Sequence, residues 1–73
     1  MSRSLKVEID GTVLEAFPNT IFKVKFDDGR EVTAHLSGKM RIHHIKIILG
    51  DRVKVEMTPY DKNKGRIIFR YRS

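Results

Sequence analysis

The sequence predicts an all-β fold, a small barrel of five short strands. Three observations predict it. Five segments alternate apolar and polar residues with a period of two, the mark of strands buried on one face. Turn-forming residues, among them Pro18-Asn19 and Asp28-Gly29, punctuate the segments, as tight connections require. One stretch, Ser37 to about His44, interrupts the alternation between the third and fourth strands and has the character of a short helical insert.

In the first strand, Leu5, Val7, Ile9, Gly11 and Val13 alternate with Lys6, Glu8, Asp10 and Thr12. Gly11 sits mid-strand, which suggests a bulge or a sharp bend. Small barrels use such points to turn a long first strand between two sides. Phe17-Pro18-Asn19-Thr20 reads as a turn. The second strand sets Phe22, Val24 and Phe26 on one face and Lys23 and Lys25 on the other. Asp27-Asp28-Gly29 is the strongest hairpin signal in the chain. Val32, Ala34 and Leu36 then alternate with Glu31, Thr33 and His35. Ser37 is placed to cap a helical turn. Ile45, Ile47 and Ile48 are expected to re-enter the core before a turn at Leu49-Gly50-Asp51. In the fourth strand, Val53, Val55 and Met57 face in while Arg52, Lys54 and Glu56 face out. Thr58 to Gly65 reads as a polar loop, and Arg66 to Arg72 as the last strand. In that strand Arg66, Arg70 and Arg72 share the outer face, with Ile67, Phe69 and Tyr71 in the core. Five strands with a short helical insert between strands 3 and 4 is the plan of the OB barrel. An SH3-like barrel also uses five short strands, but the insert and the long first strand favour OB.

Seventy-three residues are expected to form a single domain over 1–73, one that buries only about 60% of the surface its unfolded chain exposes. No internal repeat, low-complexity tract or linker divides the chain. The four polar or basic residues 1–4 are expected to lack order. Cysteine is absent, so neither a disulfide nor a thiolate metal site staples the fold. The longest apolar runs, such as Ile47-Ile48-Leu49, are far short of a membrane span, and the first residues lack the apolar stretch of a secretory signal. These features describe a soluble, intracellular, basic binding domain, with no membrane and no small-molecule substrate as partner.

The charge is segregated. Residues 1–36 hold five Lys/Arg against six Asp/Glu, a net of −1, and residues 37–73 hold ten against three, a net of +7. A basic outer surface on a half-buried strand usually meets a polyanion. Charge of this size also serves solubility, but solubility does not require segregation. Arg66, Arg70 and Arg72 are suited to phosphates or to stacking on bases. Lys39-Met40-Arg41 in the insert reads in two ways: cations flanking an apolar side chain that enters a shallow RNA minor groove, or a connecting turn in which Met40 plugs the barrel end. Tyr60 beside Pro59 is either an exposed stacking ring or a ring packed over the barrel mouth. His43 and His44 are adjacent, and on an extended chain adjacent side chains point apart, so they do not share a metal. His35 is either a surface RNA contact or a plain strand residue. No phosphate-binding glycine loop, nucleophile elbow or carboxylate pair is present. The chain reads as a non-enzyme without metal or cofactor.

Several collinear motifs point further. Leu36-Ser37-Gly38-Lys39-Met40-Arg41, Gly50-Asp51-Arg52-Val53, Thr58-Pro59-Tyr60-Asp61 and Lys64-Gly65-Arg66-Ile67 closely resemble the bacterial and organellar translation initiation factor 1 family. Gly11-Thr12-Val13-Leu14-Glu15 and Phe17-Pro18-Asn19 fit as well, and the resemblance runs from about Val7 to Arg72. It implies an S1-like OB fold. It also implies binding to the small ribosomal subunit at the aminoacyl-tRNA site, where the family touches decoding-region ribosomal RNA and a neighbouring ribosomal protein. The family works beside the other two initiation factors, as a monomer, and blocks premature tRNA entry. Its cytoplasmic setting extends to an organellar stroma or matrix. The loop matching Ser37–Arg41 enters the minor groove of the decoding helix. Positions matching Lys39, Met40, Arg41, Tyr60, Lys64, Arg66 and Arg70 belong to the RNA-facing set, and Lys46 and Arg72 extend it. The chain departs from the family at two places. His44 stands where an aromatic residue is usual, and Lys46 where an arginine lies beside a flipped-out adenine. Lysine keeps the charge but lacks the planar forked donor.

Two other functions compete: a single-stranded RNA chaperone of cold-shock type, and a protein-interaction barrel. A cold-shock platform needs exposed aromatics on the central strands, and the outward positions here are Lys23, Lys25, Thr33 and His35. If the basic half makes about six phosphate contacts, the log–log salt slope of RNA binding is expected to be roughly −4 to −5. Titrations across salt concentrations measure it, and a slope near zero would reduce the charge to a solubility device.

Overall fold

A long first strand closes the barrel by serving two neighbours. The computed structural model describes residues 6–71. The expectation of disorder at 1–4 and the placement of Arg72 both lie outside the described residues. The elements are β1 (Val7–Phe17), β2 (Ile21–Phe26), β3 (Glu31–Leu36), α1 (Gly38–Ile42), β4 (Arg52–Thr58) and β5 (Asp61–Arg70). The strands close in the order β1-β2-β3-β5-β4, the OB arrangement. Every pairing is antiparallel except β3 with β5.

Gly11 pairs with Phe26 of β2 on one side and Val53 of β4 on the other. A Cβ there would lie 2.6 Å from Val24 Cγ1 and 2.8 Å from the Lys25 carbonyl oxygen. Only glycine lets three strands approach so closely. The bend expected at Gly11 is therefore a change of partners. The bulge falls later, where the β1–β2 register shifts between Val13 and Glu15.

The alternation in β2, β3 and β4 holds: Phe22, Val24, Phe26, Val32, Ala34, Leu36, Val53, Val55 and Met57 are all buried. At the barrel end, the Ser37 hydroxyl accepts from the Met40 N–H at 3.3 Å and starts α1. Met40 is buried beneath it. Residues two apart on a helix point roughly 200° apart, so Ile42 is thrown outward and is 74% exposed. Ile47 is buried and Ile45 packs against the core, but Ile48 is exposed. Its N–H donates to the Asp51 carboxylate at 3.0 Å, and its carbonyl accepts from the Asp51 N–H at 3.1 Å. That turn, completed by Gly50 at φ +89°, directs the Ile48 side chain away from the core.

The last third of the chain differs most from expectation. Thr58 to Gly65 is not a loop. Thr58 pairs with Asp61 across a turn at Pro59-Tyr60, and β5 runs from Asp61. Local propensity there is poor, but β3 supplies a parallel partner to Lys64 and Gly65, and tertiary pairing overrides propensity. The ladder with β4 then slips by one residue: Val55 pairs with Ile67 and Lys54 with Phe69. Ile68 is the extra residue, and a one-residue slip exchanges the faces of all that follow. Ile67 is fully buried, while Phe69 is half exposed, with the Tyr71 ring edge-on to it at 5.1 Å. Phe69 is thus not a core residue. Arg70 pairs with Val53 rather than extending the outer row of Arg66, so these two arginines do not share a face.

Ile67→Ala is expected to cost about 2–5 kcal/mol, and Phe69→Ala about 1 kcal/mol, since half its ring is already in water. Urea unfolding midpoints measure both, and a larger loss at Phe69 would contradict the bulge at Ile68.

Candidate nucleic-acid interface

Ion pairing divides the cations into two populations. Arg52 meets Asp27 through two bonds of 2.9 and 3.2 Å, Lys54 meets Glu8 at 3.7 Å, and Arg30 meets Asp28 at 3.0 Å. Lys23 pairs with Glu31 at 3.8 Å. Arg66 donates to Glu56, whose carboxylate also lies 3.8 Å from Lys6. The pairs of Arg52, Lys54 and Glu56 neutralise charges along the wall formed by β1 and β4. The side-chain bond from Arg52, with its charge, holds the Asp27 carboxyl below the usual range,. On the same wall the Tyr71 hydroxyl donates to Asp10 at 2.8 Å. That bond raises the Tyr71 phenol above its ordinary range, since ionisation would break it and set two anions together,.

The second population is unpaired. Among the described residues, Lys25, Lys39, Arg41, Lys46, Lys62, Lys64 and Arg70 make no ion pair. Six of the seven come from the basic half of the chain. Lys39 and Arg41 stand on α1, Lys46 follows it, and Lys62 and Lys64 open β5.

Arg70 ties the α1 side together. Its guanidinium donates to the Lys46 carbonyl, and it lines two grooves at once. One, of about 280 Å³, runs between α1 and β5, with Met40, Ile45, Ile68 and Phe69 as an apolar floor and Lys39, His43 and Arg70 at its rim. The other, of about 560 Å³, is bounded by Lys46, Ile48, Gly50, Asp51, Arg52, Arg70 and Tyr71. A third groove, about 280 Å³, lies where β3 and β5 run parallel, and Lys64 and Arg66 line it.

The fold therefore brings Lys39, Arg41, Lys46 and Arg70 to one end of the barrel and Lys64 and Arg66 to its β3–β5 side. Tyr60 caps the β4–β5 hairpin and is 84% exposed, so it does not pack over the barrel mouth. Met40 does plug the barrel end, as the second reading of the insert had it. Ile42 and Phe69 are exposed apolar groups beside these cations that the period-two pattern did not single out. Helical spacing from Met40 was the available signal for Ile42. For Phe69 no local signal exists. His43 ends α1 and His44 takes a left-handed backbone, φ +54°, so the pair is not extended as assumed. Among the described residues no cluster of three metal-ligating side chains forms.

A family model described as translation initiation factor 1A / IF-1 matches residues 3–73. The chain belongs to this family. It is similar to the solution structure of translation initiation factor 1 from the Wolbachia endosymbiont, strain TRS, of Brugia malayi. That match has 45% identity and a TM-score of 0.78, and covers 94% of this chain and 82% of that one. It is also similar to YjeQ from Thermotoga maritima, at 28% identity and a TM-score of 0.72, over 90% of this chain but 23% of that one. The OB barrel of this initiation factor family thus recurs inside a longer protein.

The Tyr71–Asp10 bond offers a check on the paired wall. Asp10→Asn is expected to lower the alkaline titration midpoint of Tyr71 toward the ordinary phenol value, read by NMR of labelled tyrosine. An unmoved midpoint would mean that the bond does not persist in solution.

Proposed function

We propose that the protein binds the small ribosomal subunit at the aminoacyl-tRNA site, against decoding-region ribosomal RNA, and blocks premature tRNA entry while the initiation complex forms. The observation that carries this reading is the set of unpaired cations gathered around α1 and the start of β5, on a chain of the initiation factor family. Cations already paired with carboxylates gain less from a phosphate, whereas exposed unpaired ones release counterions from RNA on contact. Lys39 and Arg41 project from different sides of α1 and reach phosphates on either side of a shallow groove, with Ile42 between them as the apolar contact,. Met40 contributes from beneath, by holding α1 on the barrel. Lys46 and Arg70 border the adjoining grooves. Tyr60 stacks on an exposed base, Lys64 and Arg66 follow the RNA backbone from β5, and Arg72, two residues past that strand in the sequence, is a further cation for it. A neighbouring ribosomal protein and the other two initiation factors complete the set of partners. The protein acts as a monomer, by occupying the site rather than by catalysis, wherever such ribosomes work: the cytoplasm, or an organellar stroma or matrix.

Lys39→Ala combined with Arg41→Ala is expected to weaken small-subunit binding about tenfold or more, because each removes a charged contact. Stability should shift by less than about 0.5 kcal/mol, since both side chains are in water. Co-sedimentation and chemical probing of the decoding region read the first effect, and thermal melting the second. Undiminished protection of the RNA by the double variant would reduce α1 to a connecting turn.

A further inference from the structure

The groove on the β3–β5 side holds a group that the interface above does not use. The parallel pairing sets Lys64 beside Thr33 and Arg66 beside His35. His35 is exposed and lines the groove together with Lys6, Glu56, Thr58, Lys64, Gly65 and Arg66. From β2, Ile21 stands opposite His35, and Lys23, paired with Glu31, lies one step along the same face. From β4, Glu56 is the carboxylate of the groove and is engaged by Arg66 and Lys6. Three cations thus face one carboxylate.

We infer that this groove is a phosphodiester subsite in which His35 binds as the imidazolium, so that RNA binding takes up a proton. The inference rests on the RNA-binding reading above. A charged imidazole donates from both ring nitrogens, whereas a neutral one turns a lone pair toward one of its neighbours. A phosphate oxygen between His35, Lys64 and Arg66 therefore favours the protonated ring. The bound state then holds more protons than the free one, and affinity falls as pH rises through the histidine range. RNA phosphodiesters do not titrate in that range, so the dependence belongs to the protein.

The test measures binding of an RNA hairpin of decoding-region sequence at pH 6 and pH 8, at constant ionic strength. The unaltered protein is expected to bind about three- to sixfold more tightly at pH 6, as a proton taken up on binding requires. His35→Gln, a change at an exposed position, is expected to remove the gain, so that its binding is equal at pH 6 and pH 8. His43→Gln and His44→Gln, on the α1 side, are expected to keep it. Tight binding that is equal at both pH values would overturn the subsite and leave the proposed function standing. So would a gain that survives in His35→Gln. Failure to bind the hairpin at either pH would overturn both.

Discussion

β1 has to pass from β4 to β2 without leaving the barrel wall, and it does so at Gly11 and Thr12, which pair with both neighbours at once. Any side chain at residue 11 would strike Val24 and the Lys25 carbonyl. The backbone oxygen is the harder obstacle, because it cannot move without breaking the ladder that closes the barrel. With β1 held by both neighbours and β5 held between β3 and β4, the strands leave no open edge,. Gly65 plays the matching part on β5, where a Cβ would lie 2.6 Å from Val55 Cγ1 and 3.0 Å from the Glu56 carbonyl oxygen. Two glycines on opposite sides of the wall thus let a small core pack tightly.

Closure also decides which charges meet. β4 lies between β1 and β5, so carboxylates of the acidic half come within reach of Arg52 and Lys54 in the basic half. The sequence-level excess of cations is therefore not spread evenly over the surface. Most of what remains unpaired lies on α1, on the segment after it and on the start of β5. The connection from β3 to β4 crosses the barrel end, which brings Lys46 to Arg70 and seats Met40 as the plug. The candidate interface is in this sense mostly a remainder: cations to which the fold assigns no carboxylate.

Those features that depend on near neighbours were legible in the chain. The inward rows of β2, β3 and β4, the Asp28-Gly29 hairpin, the Ser37 cap and the position of the insert all follow from local patterns, and all are present. Lys39, Arg41, Lys46 and Lys64, which composition and the family motifs mark as RNA-facing, are each exposed and without an ion pair. What local patterns did not reveal was strand structure in Asp61–Lys64, where polar residues and a glycine read as a loop. The pairing that makes it a strand comes from Thr58 of β4, opposite Asp61, and from Thr33 of β3, opposite Lys64 and far earlier in the chain.

The sequence alone therefore determined the fold class, the family and the charge asymmetry, because periodicity, turn residues and collinear motifs are properties of consecutive residues. The tertiary structure alone decided which face of β5 each side chain takes. A single extra residue, Ile68, inverts the alternation, and whether a strand carries a bulge depends on the partner it must match. That slip put Phe69 in solvent and separated Arg70 from Arg66. Tertiary pairing likewise decided which cations are neutralised, since an ion pair between Asp27 and Arg52 joins residues that only barrel closure brings together.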